Sequence, residues 1–135
     1  MGNLPVGFTD VTPCLKTRDL AATVDFYVNV LGFVVDTVHP SETPTLCILD
    51  HETVHLAFVT DPQNWYQEPR LAGQLWIGVT DVMAMHARVV EKGVTVEWGP
   101  EVYTYGRREF AIKDNNGYLL AFSEPTSDPP TCDSA

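Results

Sequence analysis

The chain writes one structural pattern twice, and that internal similarity limits its fold more than any other feature. A strand-like stretch, Thr17-Arg18-Asp19, a helical stretch and Gly32 occur in the first half, and a strand, Thr80-Asp81, a helix and Gly93 in the second. In the first copy Val6 to Leu15 reads as a strand. Asp19 supplies an N-cap, and Leu20, Val24, Tyr27, Val28 and Leu31 recur at helical spacing until Gly32 ends the helix. Strands are expected near Phe33 to Val38, Thr45 to Leu49 and Thr53 to Thr60, with Asp50-His51-Glu52 as a short polar turn.

The second copy starts with a strand from Gln74 to Val79. Asp81 caps a helix with Val82, Met85, Val89 and Val90 on one side, and Gly93 closes it. Strands near Val94 to Trp98, Arg107 to Lys113 and Tyr118 to Ser123 follow, the last two joined through Asp114-Asn115-Asn116-Gly117. The breaker-rich segment 61–72 reads as a linker, and 125–135 as a polar, proline-containing tail, disordered at its end. The expected fold class is therefore α+β: two βαβββ units in tandem, over about 6–60 and 73–124, forming curved mixed sheets around a cleft. At 135 residues both units belong to a single domain, 1–135.

In each unit a helix covers one face of a four-stranded sheet, and strand alternation sorts the side chains. Val11, Leu15, Leu56, Phe58, Leu75, Ile77, Val79, Leu120 and Phe122 form the helix-packed set. Thr12, Cys14, His55, Ala57, Gln74, Trp76, Gly78, Leu119, Ala121 and Ser123 then point to the other side. That mixture of small, polar and aromatic groups describes a ligand pocket better than a second dry core. Trp65, Tyr66, Trp98, Tyr103 and Tyr105 fall in or beside it, where rings stack on planar ligands.

Charge narrows the partners. Eight Lys and Arg against eighteen Asp and Glu give a net charge of −10, which repels nucleic acid and anionic membranes and favours a neutral or cationic ligand. No apolar run is long enough to span a membrane, and the start has no secretory pattern, so a cytoplasmic protein is expected. Cys14, Cys47 and Cys132 are odd in number and lack CxxC spacing; the first two read as small buried hydrophobes in a reducing compartment.

Thr17-Arg18-Asp19-Leu20, Asp25-Phe26-Tyr27, Val30-Leu31-Gly32-Phe33 and the run from Tyr105 through Asp114 to Gly117 carry a family likeness. Over about Val6 to Glu124 the chain resembles the vicinal oxygen chelate superfamily, of the glyoxalase and bleomycin-resistance type. The resemblance implies a divalent metal held by four side chains, one on the first and one on the last strand of each unit. Those places fall on Thr12, His55, Gln74 and Ala121. Ala121 has no donor atom, Thr12 and Gln74 are weak donors, and only His55 is a good ligand, so the set is degenerate and no metal or other cofactor is expected. No carboxylate replaces the missing glutamate of the last strand at a neighbouring pocket position, and no catalytic residue is assigned. His39, His51 and His86 read as structural or solvated.

These readings converge on a metal-free homodimer that binds a small aromatic natural product, neutral or cationic, and confers antibiotic resistance by sequestering it. One alternative is a divergent metal-dependent enzyme, a lyase, isomerase or dioxygenase relative using His55. Another is an interaction module whose cleft stays empty.

Overall fold

The computed structural model describes residues 5–60 and 74–132. The expected linker and the last three residues of the tail lie outside them. The first unit contains β1 (Cys14–Lys16), α1 (Leu20–Asp25, continued by a π-helical turn over Phe26–Val30), β2 (Val34–His39), β3 (Leu46–His51) and β4 (Val54–Val59). The second contains β5 (Leu75–Gly78), α2 (Val82–Glu91), β6 (Val96–Tyr103), β7 (Arg107–Lys113) and β8 (Leu119–Pro125). The sheets run β1-β4-β3-β2 and β5-β8-β7-β6, each with one parallel pair, β1 with β4 and β5 with β8. The fold is α+β, with the tandem βαβββ units that the repeat predicts.

Each helix begins in the same way. Asp19 Oδ1 accepts the amide of Ala22 at 2.9 Å, and Asp81 Oδ1 accepts that of Ala84 at 3.0 Å, satisfying an amide that the first turn leaves without a partner. Each is followed by a glycine in the left-handed region, Gly32 at φ +79° and Gly93 at φ +80°, where a side chain would be strained. The first copy has one residue more between cap and glycine than the second, and its π-helical turn absorbs that residue. The turn carries Tyr27, which is fully buried.

The apolar core lies on the helix side of both sheets. Tyr27, Phe33, Leu49, Leu56 and Phe58 from the first unit join Val82, Val89, Phe110, Leu120 and Phe122 from the second in one cluster. Burying side chains of this size contributes roughly 1.5–3 kcal/mol each. Leu15, Leu75, Ile77 and Val79 pack against it from the edge strands, as alternation predicts.

Four expectations need correction. The first strand is short: Val11 is 81% exposed, because among the described residues no strand pairs with residues 6–12 and alternation has no partner there to act against. Val90 faces solvent, being one step past Val89 on the helical wheel. Cys14 is exposed on the open side of β1, whereas Cys47 is buried. The strand expected to stop at Trp98 runs on to Tyr103, its register shifting around Gly99 and Pro100 instead of ending there.

The tail is also less free than its composition suggests. Thr131 donates its backbone amide to the carbonyl of Val102 at 2.8 Å and accepts the Val102 amide on its hydroxyl at 2.7 Å. Asp128 meets Arg108. Residues 126–132 therefore follow the edge of the second sheet rather than leaving it.

Candidate functional site

The side of the second sheet turned away from the helices carries a polar centre ringed by aromatic groups. The pairing of Ala111 with Ala121 and of Glu109 with Ser123 puts these four side chains in two adjacent levels of β7 and β8. Trp76, opposite Ala121 on β5, belongs to the same face. Alternation along β7 sends Phe110 and Ile112 into the core and Glu109 and Ala111 to this side.

Glu109 is only 1% exposed, and its carboxyl group is the hub. Oε2 accepts the Trp76 indole N–H at 2.6 Å and the Ser123 hydroxyl at 2.7 Å, while Oε1 accepts the Tyr105 hydroxyl at 2.6 Å. Arg107 donates Nε to Ser123 Oγ at 2.5 Å and stands 4.0 Å from Glu109 Oε2. Three donors and a nearby guanidinium offset the cost of burying a carboxyl group. Burial raises the pKa of the Tyr105 phenol, and the hydrogen bond to Glu109 raises it further, so the phenol keeps the proton it donates.

The rings form a continuous series. Trp76 meets Tyr105 edge-on at 6.2 Å, Tyr105 stacks on Tyr103 at 5.6 Å and 7°, and Tyr103 meets Trp98 edge-on at 6.0 Å. The Arg107 guanidinium carbon lies 5.7 Å from the Trp76 ring centre. Trp76 remains 57% exposed although its N–H is committed to Glu109, so the indole is fixed in orientation while much of its surface is open. Fixed, open rings are suited to stacking on a planar molecule with little entropy left to lose on binding.

The first sheet presents a different face. Asp50 and His55 are opposite each other on β3 and β4, with His55 Nδ1 2.7 Å from Asp50 Oδ1, both about one-third exposed. This partner orients the imidazole. Ala57 stands opposite Cys14 as Ala121 stands opposite Trp76. The repeat therefore makes Ala57 the counterpart of Ala121, and the last strand of each unit carries a methyl group at that level.

Of the residues singled out from sequence, the structure gathers Trp76, Trp98, Tyr103 and Tyr105 on one face, with Ala121 beneath them. Thr12 and Gln74 are exposed just ahead of β1 and β5, and His55 lies on the other sheet. Trp65 and Tyr66 lie outside the described residues. Among the described residues no three His, Cys, Asp or Glu side chains gather as a group able to hold a metal. The expectation that no carboxylate neighbours Ala121 is overturned: Glu109 is one strand over and one level along. The signal was present in the alternation of Glu109 and Ala111 with Phe110 and Ile112.

Among the described residues no helix is long and apolar enough to cross a membrane. No curated protein matches the sequence. Many solved structures share the fold. TioX from Micromonospora sp. ML1 superposes with a TM-score of 0.74 at 20% identity, covering 87% of this chain and 99% of that one. TnmS3, an antibiotic binding protein from Streptomyces sp. CB03234, gives 0.72 at 22% identity, covering 91% and 99%. A glyoxalase/bleomycin resistance protein/dioxygenase from Nocardioides gives 0.67 at 17%, covering 96% and 92%. The model of the glyoxalase/bleomycin resistance protein/dioxygenase superfamily matches residues 11–122, most of the chain and both units, and the chain belongs to that superfamily.

Proposed function

We propose that this chain is a metal-free small-molecule binding protein that sequesters an aromatic natural product, an antibiotic in particular, on the open face of its second sheet. The observation that carries the reading is the ring series Trp76, Tyr105, Tyr103 and Trp98, held in place by the buried Glu109. The net charge of −10 favours a neutral or cationic ligand. A cation has the faces of these rings to approach, in the field of the buried carboxyl group beneath them. The description of TnmS3 as an antibiotic binding protein is consistent with the same use of a shared fold.

Two chains are needed to cover such faces, and we propose a homodimer. Val6, Phe8 and Val11 are exposed together with Trp76, and two-fold association is the commonest way to bury surfaces of this kind. The protein would work in the cytoplasm. A monomer mass at micromolar concentration would remove the dimer from the proposal.

The test is a thermal-shift screen against planar aromatic antibiotics of cationic, neutral and anionic type, followed by calorimetry on any hit. A ligand at 100 times its dissociation constant adds about 2.7 kcal/mol, within reach of such a screen. Trp76→Ala should weaken the hit well over tenfold, since a central aromatic anchor commonly contributes about 2 kcal/mol or more. His55→Ala should weaken it less. Unchanged affinity in a folded Trp76→Ala variant would overturn the site.

The Asp50–His55 pair favours the second reading, a divergent metal-dependent lyase, isomerase or dioxygenase, because an oriented imidazole can ligate or accept a proton. Metal analysis separates the two. The binding reading expects no stoichiometric zinc, nickel, manganese or iron and no change of melting with chelator; one tightly held ion per chain supports the enzyme.

A further inference from the structure

A cavity of about 570 Å³ lies on the helix side of the second sheet, where α2 and β5 meet the β3–β4 turn of the first unit. Its size falls in the range of roughly 300–1,000 Å³ typical of small-molecule pockets. It is separate from the ring series: Trp76 and Ala121 look to the open side, whereas Ile77 and Phe122, one residue along their strands, look into the cavity.

The repeat shows why this junction is open. Its counterpart, where α1 meets the β7–β8 turn, is sealed. There Tyr27 donates its hydroxyl to Asp114 at 2.6 Å, Tyr118 donates to the Lys16 carbonyl at 2.8 Å, and Thr17 and Thr23 bind Asn116 and Asn115 at 2.7 and 3.0 Å. Counting from the caps and from Ala57 and Ala121, Val79 replaces Thr17, Met85 replaces Thr23 and Val54 replaces Tyr118. All three replacements line the cavity. Two polar clasps and a tyrosine ring have become aliphatic side chains that neither bond across the gap nor fill it.

The lining specifies the occupant. Leu31, Val54, Ile77, Val79 and Met85 with two phenylalanines make walls without Trp or Tyr, unlike the open face. At the mouth, a methyl group built on Gly32 would stand 3.9 Å from His51 Nε2 and 4.0 Å from Arg88 Nη2, so an imidazole nitrogen and a guanidinium nitrogen flank one point. Arg88 spends Nε on the Val30 carbonyl at 2.7 Å and reaches the Asn29 carbonyl with Nη2 only at a long 3.5 Å, and among the described residues no carboxylate lies within ion-pair distance of it. Of the acids at the rim, Asp81 is committed to its helix cap and Glu52 projects into solvent beside His51. We propose that this cavity is a second binding site, for an aliphatic monocarboxylate whose chain enters between the units while its head meets Arg88 and His51. The net negative charge does not forbid it, because charges more than about 8 Å away are screened at physiological ionic strength, whereas a guanidinium in contact is not. The proposal does not depend on the ring-lined site.

The experiment titrates the full chain, methyl-labelled with carbon-13, with sodium decanoate and separately with 1-decanol. Saturable shifts are expected at the Leu31, Ile77 and Met85 methyls, with the Trp76 indole unmoved. Arg88→Gln should weaken decanoate at least tenfold and decanol less than twofold, which separates a lost head contact from a disturbed junction. Val54→Tyr, which imports the residue of the sealed junction, should abolish binding of both; Met85→Phe serves if that variant does not fold. The proposal is overturned by an absence of saturable shifts at those methyls, by shifts at Trp76 instead, by equal losses of decanoate and decanol in Arg88→Gln, or by retained binding in a folded filled variant.

Discussion

Away from the two junctions, the units share one side and differ on the other. On the helix side the counterparts are alike: Leu15 and Ile77, Leu56 and Leu120, Phe58 and Phe122, and the capping Asp19 and Asp81. On the open side Cys14 faces Trp76 across the repeat, and the paired Leu46 and Val59 stand where the second unit has Glu109 and Ser123. The difference follows from what each side has to satisfy. A helix-packed face must fill a fixed volume with apolar groups, so it tolerates little change; an open face is constrained only by what binds it.

If the second open face is a built site and the first a lining surface, exchanging their residues should have very unequal effects. Glu109→Leu, which imports the residue of the first unit, strands the Trp76 N–H and the hydroxyls of Ser123 and Tyr105. A loss of about 2–4 kcal/mol in denaturant melts is expected, since buried donors without acceptors are costly. Asp50→Ala, by contrast, should cost at most about 1 kcal/mol, because its pair with His55 is partly exposed and screened. Equal losses would erase the distinction between the faces.

The junctions sharpen the same comparison. Tyr27→Phe removes only a hydroxyl, but that hydroxyl donates at 2.6 Å to the buried Asp114. About 1–3 kcal/mol should be lost, against no comparable clasp at Val89, its counterpart on α2. A melt within 0.5 kcal/mol of the parent would mean that ring packing alone closes the junction. The caps are the control in which the halves should agree: Asp19→Ala and Asp81→Ala should each cost about 1 kcal/mol, and a twofold disparity would show that one helix is held mainly by its packing.

Most of the helix side could be read from the sequence, because caps, glycines and alternation each state a local requirement that the fold then meets. Asp19, Gly32, Asp81 and Gly93 mark both helices, and Leu56, Phe58, Leu120 and Phe122 turn inward as expected. Residues 6–12 alternate like a strand yet pair with no strand among the described residues, since periodicity reports what a face could bury and not whether a partner stands beside it. The role of Glu109 depends on the register between β7 and β8, which places it beside Ser123 and under Trp76, 33 residues away in the chain. Asp50 reads as a turn residue in the sequence for the same kind of reason: the turn begins two residues later, at Glu52, and β3 carries Asp50 into line with His55.

The smallest effect tests how the sealed junction holds its acid. Asp114 is raised above its ordinary value of 3.8, chiefly because burial disfavours the charged form, with the hydrogen bonds from Tyr27 and from the amides of Tyr118 and Asn116 pulling the other way. A carboxyl group raised on folding binds more protons in the folded than in the unfolded chain between the two values. Its contribution is therefore fully present below 3.8 and is lost as pH rises through the folded value. Asparagine at this position has no such dependence and can still accept both amides. The stability of the parent relative to Asp114→Asn should fall as pH is raised through the weakly acid range and then level off, measured by urea melts of both proteins at matched pH. A difference that instead grows with pH would mean that the three donors stabilise the carboxylate by more than burial costs it, and that the junction is held by charge rather than by the tyrosine rings around it.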